Sequence, residues 1–201
     1  MSVVPIREKN YSATQVSLIS RVRQNDANAW QEFVALYSPL VCHWCRKQGM
    51  PEADINDVKQ DVFFAVARSI DSYSPQEQRG GFRAWLWTIS RNKLIDWVRK
   101  KERLPDGRGG STALHSTQQI PDKIDESETS EQLEISKLLH RALEQVRCEF
   151  ESKTWQAFWR CVVEDIATPV VAEELGLSTS AVRKYRSRVL RRLRQQLGEM
   201  E

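Results

Sequence analysis

Between Ser178 and Leu197 the chain carries Arg183, Lys184, Arg186, Arg188, Arg191, Arg192 and Arg194, with no acidic residue among them. Guanidinium and ammonium groups on so short a stretch neutralise phosphates, and arginine can also pair with both acceptors of a guanine edge. The chemistry is recognition of duplex nucleic acid. A purely structural helix of this charge would carry glutamates four residues away to offset it, and this one has none. A second cationic stretch, Phe82 to Lys101, is of another kind, because Trp85 and Trp97 are interleaved with Arg83, Arg91, Asn92, Lys93, Asp96, Arg99, Lys100 and Lys101. Bases stack on indoles while cations follow the phosphates, so this mixture suits a single strand. The same two tryptophans suit a small helical core equally well.

Chemistry of other kinds is poorly provided for. No glycine loop is followed by a phosphate-binding lysine, and His43, His115 and His140 fall in separate segments without paired carboxylates. The expectation is a protein that is not an enzyme and needs no cofactor or metal. The run Cys42-His43-Trp44-Cys45 has metal or redox spacing, but there is no second close pair, and His43 would leave a helix in a different direction from its neighbours. Buried free thiols are the better reading of Cys42, Cys45, Cys148 and Cys161.

The elements that must hold these groups all read as helices. Thr168 can cap a helix that opens on Pro169, and Val171, Ala172 and Leu175 share one of its faces. Gly176 supplies a positive φ, and Ser178 caps a second helix that turns Val182, Tyr185 and Val189 inward. This is a helix-turn-helix. Upstream, Ser17 to Gln48 shows helical periodicity broken near Asn25–Asn28 and again at Ser38-Pro39. Pro51 then opens a helix with Ile55, Val58, Val62, Phe63, Val66, Ala67 and Ile70 on its apolar face and Asp57, Gln60 and Asp61 on the other. Residues 71–81 read as a loop. Glu131 to Val146 and Thr154 to Val163 supply helices to pack beneath the helix-turn-helix. The predicted fold is all-α: an extension (1–16), a helical domain (17–101), a flexible polar linker (102–125) and a second domain (126–201).

A net charge of +3 hides strong segregation, acidic around Glu52–Glu77 and Asp122–Glu151 and basic in the two stretches above. Such blocks imply two nucleic-acid faces and separate protein-facing surfaces. The beginning lacks a charged leader followed by an apolar run, and no stretch approaches a membrane span, so a cytoplasmic protein without membrane insertion is expected.

DINDVKQDVFFAVARSIDSYSP followed by GGFRAWLWTISRNKLIDWVRKK resembles region two of bacterial RNA polymerase sigma factors, in particular the compact extracytoplasmic-function group, and Thr168 to Leu197 resembles region four of that group. The resemblance implies a promoter-specificity subunit whose partners are core RNA polymerase and promoter DNA, both duplex and melted. It implies that Asp57, Gln60, Asp61 and Phe63 contact the polymerase. It further implies that the 71–81 loop captures an unpaired base of the minus-ten element while Trp85, Arg91, Asn92, Lys93, Asp96, Arg99 and Lys100 hold the melted strand. Thr179, Ser180, Arg183, Lys184, Ser187 and Arg188 would read the minus-thirty-five element, and an anti-sigma protein is a further implied partner. The alternative is a helix-turn-helix regulator that acts without replacing the sigma subunit, which leaves the tryptophan–arginine stretch and the acidic helix face without a role.

Overall fold

A computed structural model describes residues 17–76, 80–103, 120–125 and 128–199. The N-terminal extension (1–16) and most of the expected linker (104–119) lie outside the described residues. The first half contains α1 (Leu18–Arg23), α2 (Ala27–Lys47), α3 (Glu52–Ser69), a 3-10 turn at Ile70–Ser72, and α4 (Gly81–Arg103); the second contains α5 (Thr129–Arg147), α6 (Ser152–Val162), α7 (Thr168–Leu175) and α8 (Thr179–Gln196). No strand occurs among the described residues, in line with the all-α reading.

Local chemistry sets most of the boundaries. The Ser17 hydroxyl accepts the Ser20 N–H and starts α1. The Asp26 carboxylate accepts the amides of Asn28 and Ala29 and starts α2, at the expected break. Helix α2 then runs through Pro39. The proline removes only the bond to the carbonyl of Ala35, an exposed residue whose carbonyl water can serve. One cap differs from expectation: α7 begins at Thr168 with Ala167 in the cap position and Pro169 in the first turn, so the threonine side chain caps nothing. Ser178 behaves as anticipated, its hydroxyl accepting the Ala181 N–H at 3.2 Å, and Gly176 takes the left-handed conformation (φ 62°) that ends α7.

The two halves do not keep separate cores. One buried cluster runs from Leu18, Phe33, Tyr37 and Phe82 in the first half to Leu138, Ala142, Phe158, Val189 and Leu197 in the second. A smaller cluster, Ala157, Val171, Ala172 and Val182, fills the helix-turn-helix. Polar bonds cross the same boundary: Arg141 Nε donates to the Leu36 carbonyl (3.2 Å), Gln145 Nε2 to the Glu32 carbonyl (3.1 Å) and Trp44 Nε1 to Glu131 Oε1 (3.2 Å). Ile120, at the described end of the linker, is buried in the large cluster as well.

Candidate polymerase and nucleic-acid interfaces

Helix α3 turns Ile55, Val58, Val62 and Val66 into the core. The opposite face presents Asp57, Gln60 and Asp61, all exposed. Phe63 does not join them. It is 7% exposed and meets the rings of Trp30 and Phe33 edge-on at 6.2 and 5.8 Å, which makes it a core residue. Its neighbour Phe64 is 69% exposed and falls seven residues after Asp57, on the same stripe as Gln60 and Asp61. Exposed aromatic rings are enriched where proteins meet, and Phe64 is such a ring on an otherwise polar stripe.

The residues of α4 separate into four environments. Trp85 is buried against Tyr73 and Phe82, with ring centroids 5.3 Å from each, and so is not offered to a base in this form. Arg91 is held by the chain that leads into the second half: Nε donates to the carbonyls of Ile120 (3.3 Å) and Pro121 (3.1 Å), and Nη2 pairs with Asp122 at 2.6 Å. Asn92, Asp96 and Arg99, spaced for one helical face, are exposed. Lys93 and Lys100 line a cleft of about 330 Å³ against Asp54, Asp57 and Asp61 of α3. Across that cleft Trp97 Nε1 donates to Asp54 Oδ2 (3.1 Å), and Lys101 Nζ stands 4.8 Å from the Trp97 ring centre.

Helix α8 is set by Val182 and Val189, which are fully buried, and by the half-buried Tyr185. Thr179, Ser180, Arg183, Lys184 and Ser187 are exposed on the other side. Arg188 lies at the edge of that surface, half-buried, with its guanidinium 5.8 Å from the Phe150 ring centre. Arg192 leaves the surface altogether. It is 6% exposed and pairs with Glu149 through two hydrogen bonds. Arg191 and Arg194 are exposed, and Arg191 continues the line of Lys184 and Ser187.

The Cys-His-Trp-Cys run belongs to the contact between the halves. His43 Nε2 lies 3.4 Å from Glu131 Oε2, Trp44 donates to the other oxygen of the same carboxylate, and Glu131 is 0% exposed. Cys45 is buried, and burial pushes its thiol up to about 12, far from the thiolate that redox or metal chemistry requires. The expectation of buried thiols fails at Cys148, which is exposed just past α5. No group of three or more metal-binding side chains occurs among the described residues.

An exposed cationic helix after a glycine turn, a second cationic helix and an exposed acidic stripe that carries one phenyl ring stand together on one all-helical chain. The sigma-70 region 2 family matches residues 33–104. RNA polymerase sigma factor CnrH of Cupriavidus metallidurans is 25% identical over 82% of this chain and 84% of its own. ECF RNA polymerase sigma factor ShbA of Streptomyces griseus is 28% identical over 89% and 92%, and ECF RNA polymerase sigma factor RpoE of Cereibacter sphaeroides 25% identical over 95% and 99%. Among solved structures, that of CnrH in complex with the cytosolic domain of CnrY is 22% identical and covers 88% of this chain and 92% of that one, with a TM-score of 0.35. The chain is similar to extracytoplasmic-function sigma factors of RNA polymerase, and its match to sigma-70 region 2 falls on the half that carries α3 and α4. Sigma factors are non-catalytic factors of transcription initiation. None of the chain's described helices is long and apolar enough to cross a membrane.

Proposed function

We propose that the labour of initiation is divided among three surfaces of this chain. The stripe Asp57, Gln60, Asp61 and Phe64 docks on core polymerase, with the phenyl ring as apolar anchor and the carboxylates steering a basic partner. Asn92, Asp96, Arg99 and the lysines of the α3–α4 cleft hold the melted minus-ten strand. Thr179, Ser180, Arg183, Lys184 and Ser187 read the minus-thirty-five duplex, with Arg191 and Arg194 on phosphates. The domains are those read from the sequence, 17–101 and 126–201. The chain has no enzymatic activity of its own and works in the cytoplasm, where an anti-sigma protein is its further partner.

The observation that carries this reading is the exposed face of α8, a helix with no acidic residue, on which Arg183 and Lys184 stand while the opposite face is locked by Val182 and Val189. The test is addition of the purified chain to core polymerase and promoter DNA. Initiation at a defined start, dependent on the added chain, supports the reading. Sequence-specific duplex binding that the polymerase neither needs nor follows with a transcript supports the regulator instead.

A further inference from the structure

The sequence resemblance puts Arg188 among the readers of the upstream element, and its surroundings give it another task. Ser180, Arg183, Lys184 and Ser187 form the exposed face of α8, whereas Arg188 is turned about 140° from Arg183 by the period of the helix. A helix with its side chains is about 10 to 12 Å across and the major groove about 12 Å wide. A recognition helix therefore fills the groove, and its flanks meet the phosphate walls. Arg188 is on such a flank.

The turn between α5 and α6 borders that flank. It is closed by the Glu149 and Phe150 amides, which donate to the carbonyls of Val146 (3.0 Å) and Arg147 (3.2 Å). Its two side chains meet successive turns of α8: Glu149 takes the Arg192 guanidinium, and the Phe150 ring lies beneath that of Arg188, 5.8 Å from ring centre to guanidinium carbon. The Phe150 ring is itself backed by Trp155 of α6 at 6.4 Å, and Trp155 by Trp159 at 6.1 Å. These two contacts differ in kind. The Glu149 carboxylate is matched by a covered guanidinium and so repels an approaching phosphate little. Phe150 brings no charge and leaves that of Arg188 undiminished. Stacking engages the face of a guanidinium, while its N–H donors lie in its plane, so a stacked arginine can donate to a phosphate. An arginine held in place also gives up less conformational freedom when it binds.

We propose that Phe150 is a positioning residue for DNA binding, which presets Arg188 to grip a backbone phosphate beside the upstream element. The inference rests on the duplex-binding reading of α8 given above and adds to it a residue outside the helix-turn-helix. Arg188 contributes affinity on every sequence, and Phe150 contributes through Arg188.

The test is a double-variant cycle on the full chain. Affinity is read by fluorescence anisotropy at several salt concentrations, for a duplex selected with wild type from a randomised pool and for a scrambled duplex of the same length. Arg188→Ala should weaken both duplexes by the same factor and lower the slope of log affinity against log salt by about 1. Phe150→Leu, which keeps apolar bulk, should weaken both by roughly two- to fivefold and have no effect when Arg188 is already alanine. Phe150→Tyr keeps the ring and should bind as wild type. An equal loss from Phe150→Leu with and without Arg188 overturns the positioning role. Arg188→Ala leaves the turn intact and decides the phosphate contact even where Phe150→Leu loses its helical circular dichroism: an unchanged slope, or a loss confined to the selected duplex, overturns the proposal. Initiation is scored separately with core polymerase. A chain that satisfies the cycle but yields no transcript loses the sigma reading and keeps Phe150, and one that initiates but fails the cycle loses Phe150 alone. A wild type that binds neither duplex at any salt overturns both.

Discussion

Arg192 and Glu149 form a two-pronged pair, Nε to Oε2 at 2.7 Å and Nη2 to Oε1 at 2.8 Å, with the guanidinium almost wholly covered. The pair ties α8 to the turn between α5 and α6, so an arginine in the middle of a cationic run belongs to the fold and not to the DNA face. Breaking one side of a covered, bidentate pair costs about 2 to 4 kcal/mol, since the other charge is left without its partner. Arg192→Ala should therefore lower the denaturation midpoint. Arg192→Ala/Glu149→Ala should cost less than the sum of the single changes, and additive losses would show that the two side chains do not act together.

Base reading is expected of Arg183 and phosphate contact of Arg191. Arg183→Ala should reduce discrimination at one or two upstream bases by about 1 to 3 kcal/mol, whereas Arg191→Ala should weaken every site alike and flatten the salt dependence. A binding selection on randomised upstream elements separates them. Uniform losses for both variants would mean that the helix grips DNA without reading it.

Phe63 and Phe64 should respond in opposite ways. Phe63→Ala empties a site walled by Trp30 and Phe33 and should cost about 3 to 5 kcal/mol of stability. Phe64→Ala removes an exposed ring, so melting should hardly change while affinity for core polymerase falls by about 2 kcal/mol, some thirtyfold. Retained affinity in Phe64→Ala would remove the ring from the interface.

Acid should act on the start of α2. The Ala29 amide, followed by the Arg21 guanidinium, holds the Asp26 carboxyl below its usual range. A carboxyl depressed in the folded state adds stability that is complete above its unfolded pKa of about 4 and disappears as pH falls through the lower folded value. Asp26→Asn keeps the cap but loses the charge. The melting gap between wild type and variant at neutral pH should close as pH falls below the unfolded value of about 4 and through the lower folded one. A gap independent of pH would assign the whole effect to the cap.

Much of this could be read from the chain, and the failures are informative. The turn at Gly176 and the cap at Ser178 follow from local chemistry and were legible. So, in principle, was Phe64: Asp57, Gln60, Asp61 and Phe64 share one helical stripe, but motif resemblance favoured its neighbour Phe63. Arg192 was legible in the same way, three residues after Val189 and on the inward side, yet its charge suggested DNA. The contacts of Arg91 with residues 120–122, and of Tyr73 with Gly198, were not legible. They join segments 29 to 125 residues apart in sequence, and local periodicity carries no record of such meetings. The closed packing of the two halves is hidden for that reason, since a helix face buried against a distant segment has the same pattern as one buried against its neighbour.

The central claim, that α8 and α4 read two separate elements on behalf of polymerase, is tested most directly by selecting transcripts from a promoter library randomised over the upstream fifty base pairs, using core polymerase with wild type, Arg183→Ala and Asn92→Ala/Arg99→Ala. The account predicts two enriched blocks about 25 base pairs apart, with Arg183→Ala altering only the upstream block and Asn92→Ala/Arg99→Ala only the downstream one. A single enriched block, or two blocks that both variants alter together, would contradict it.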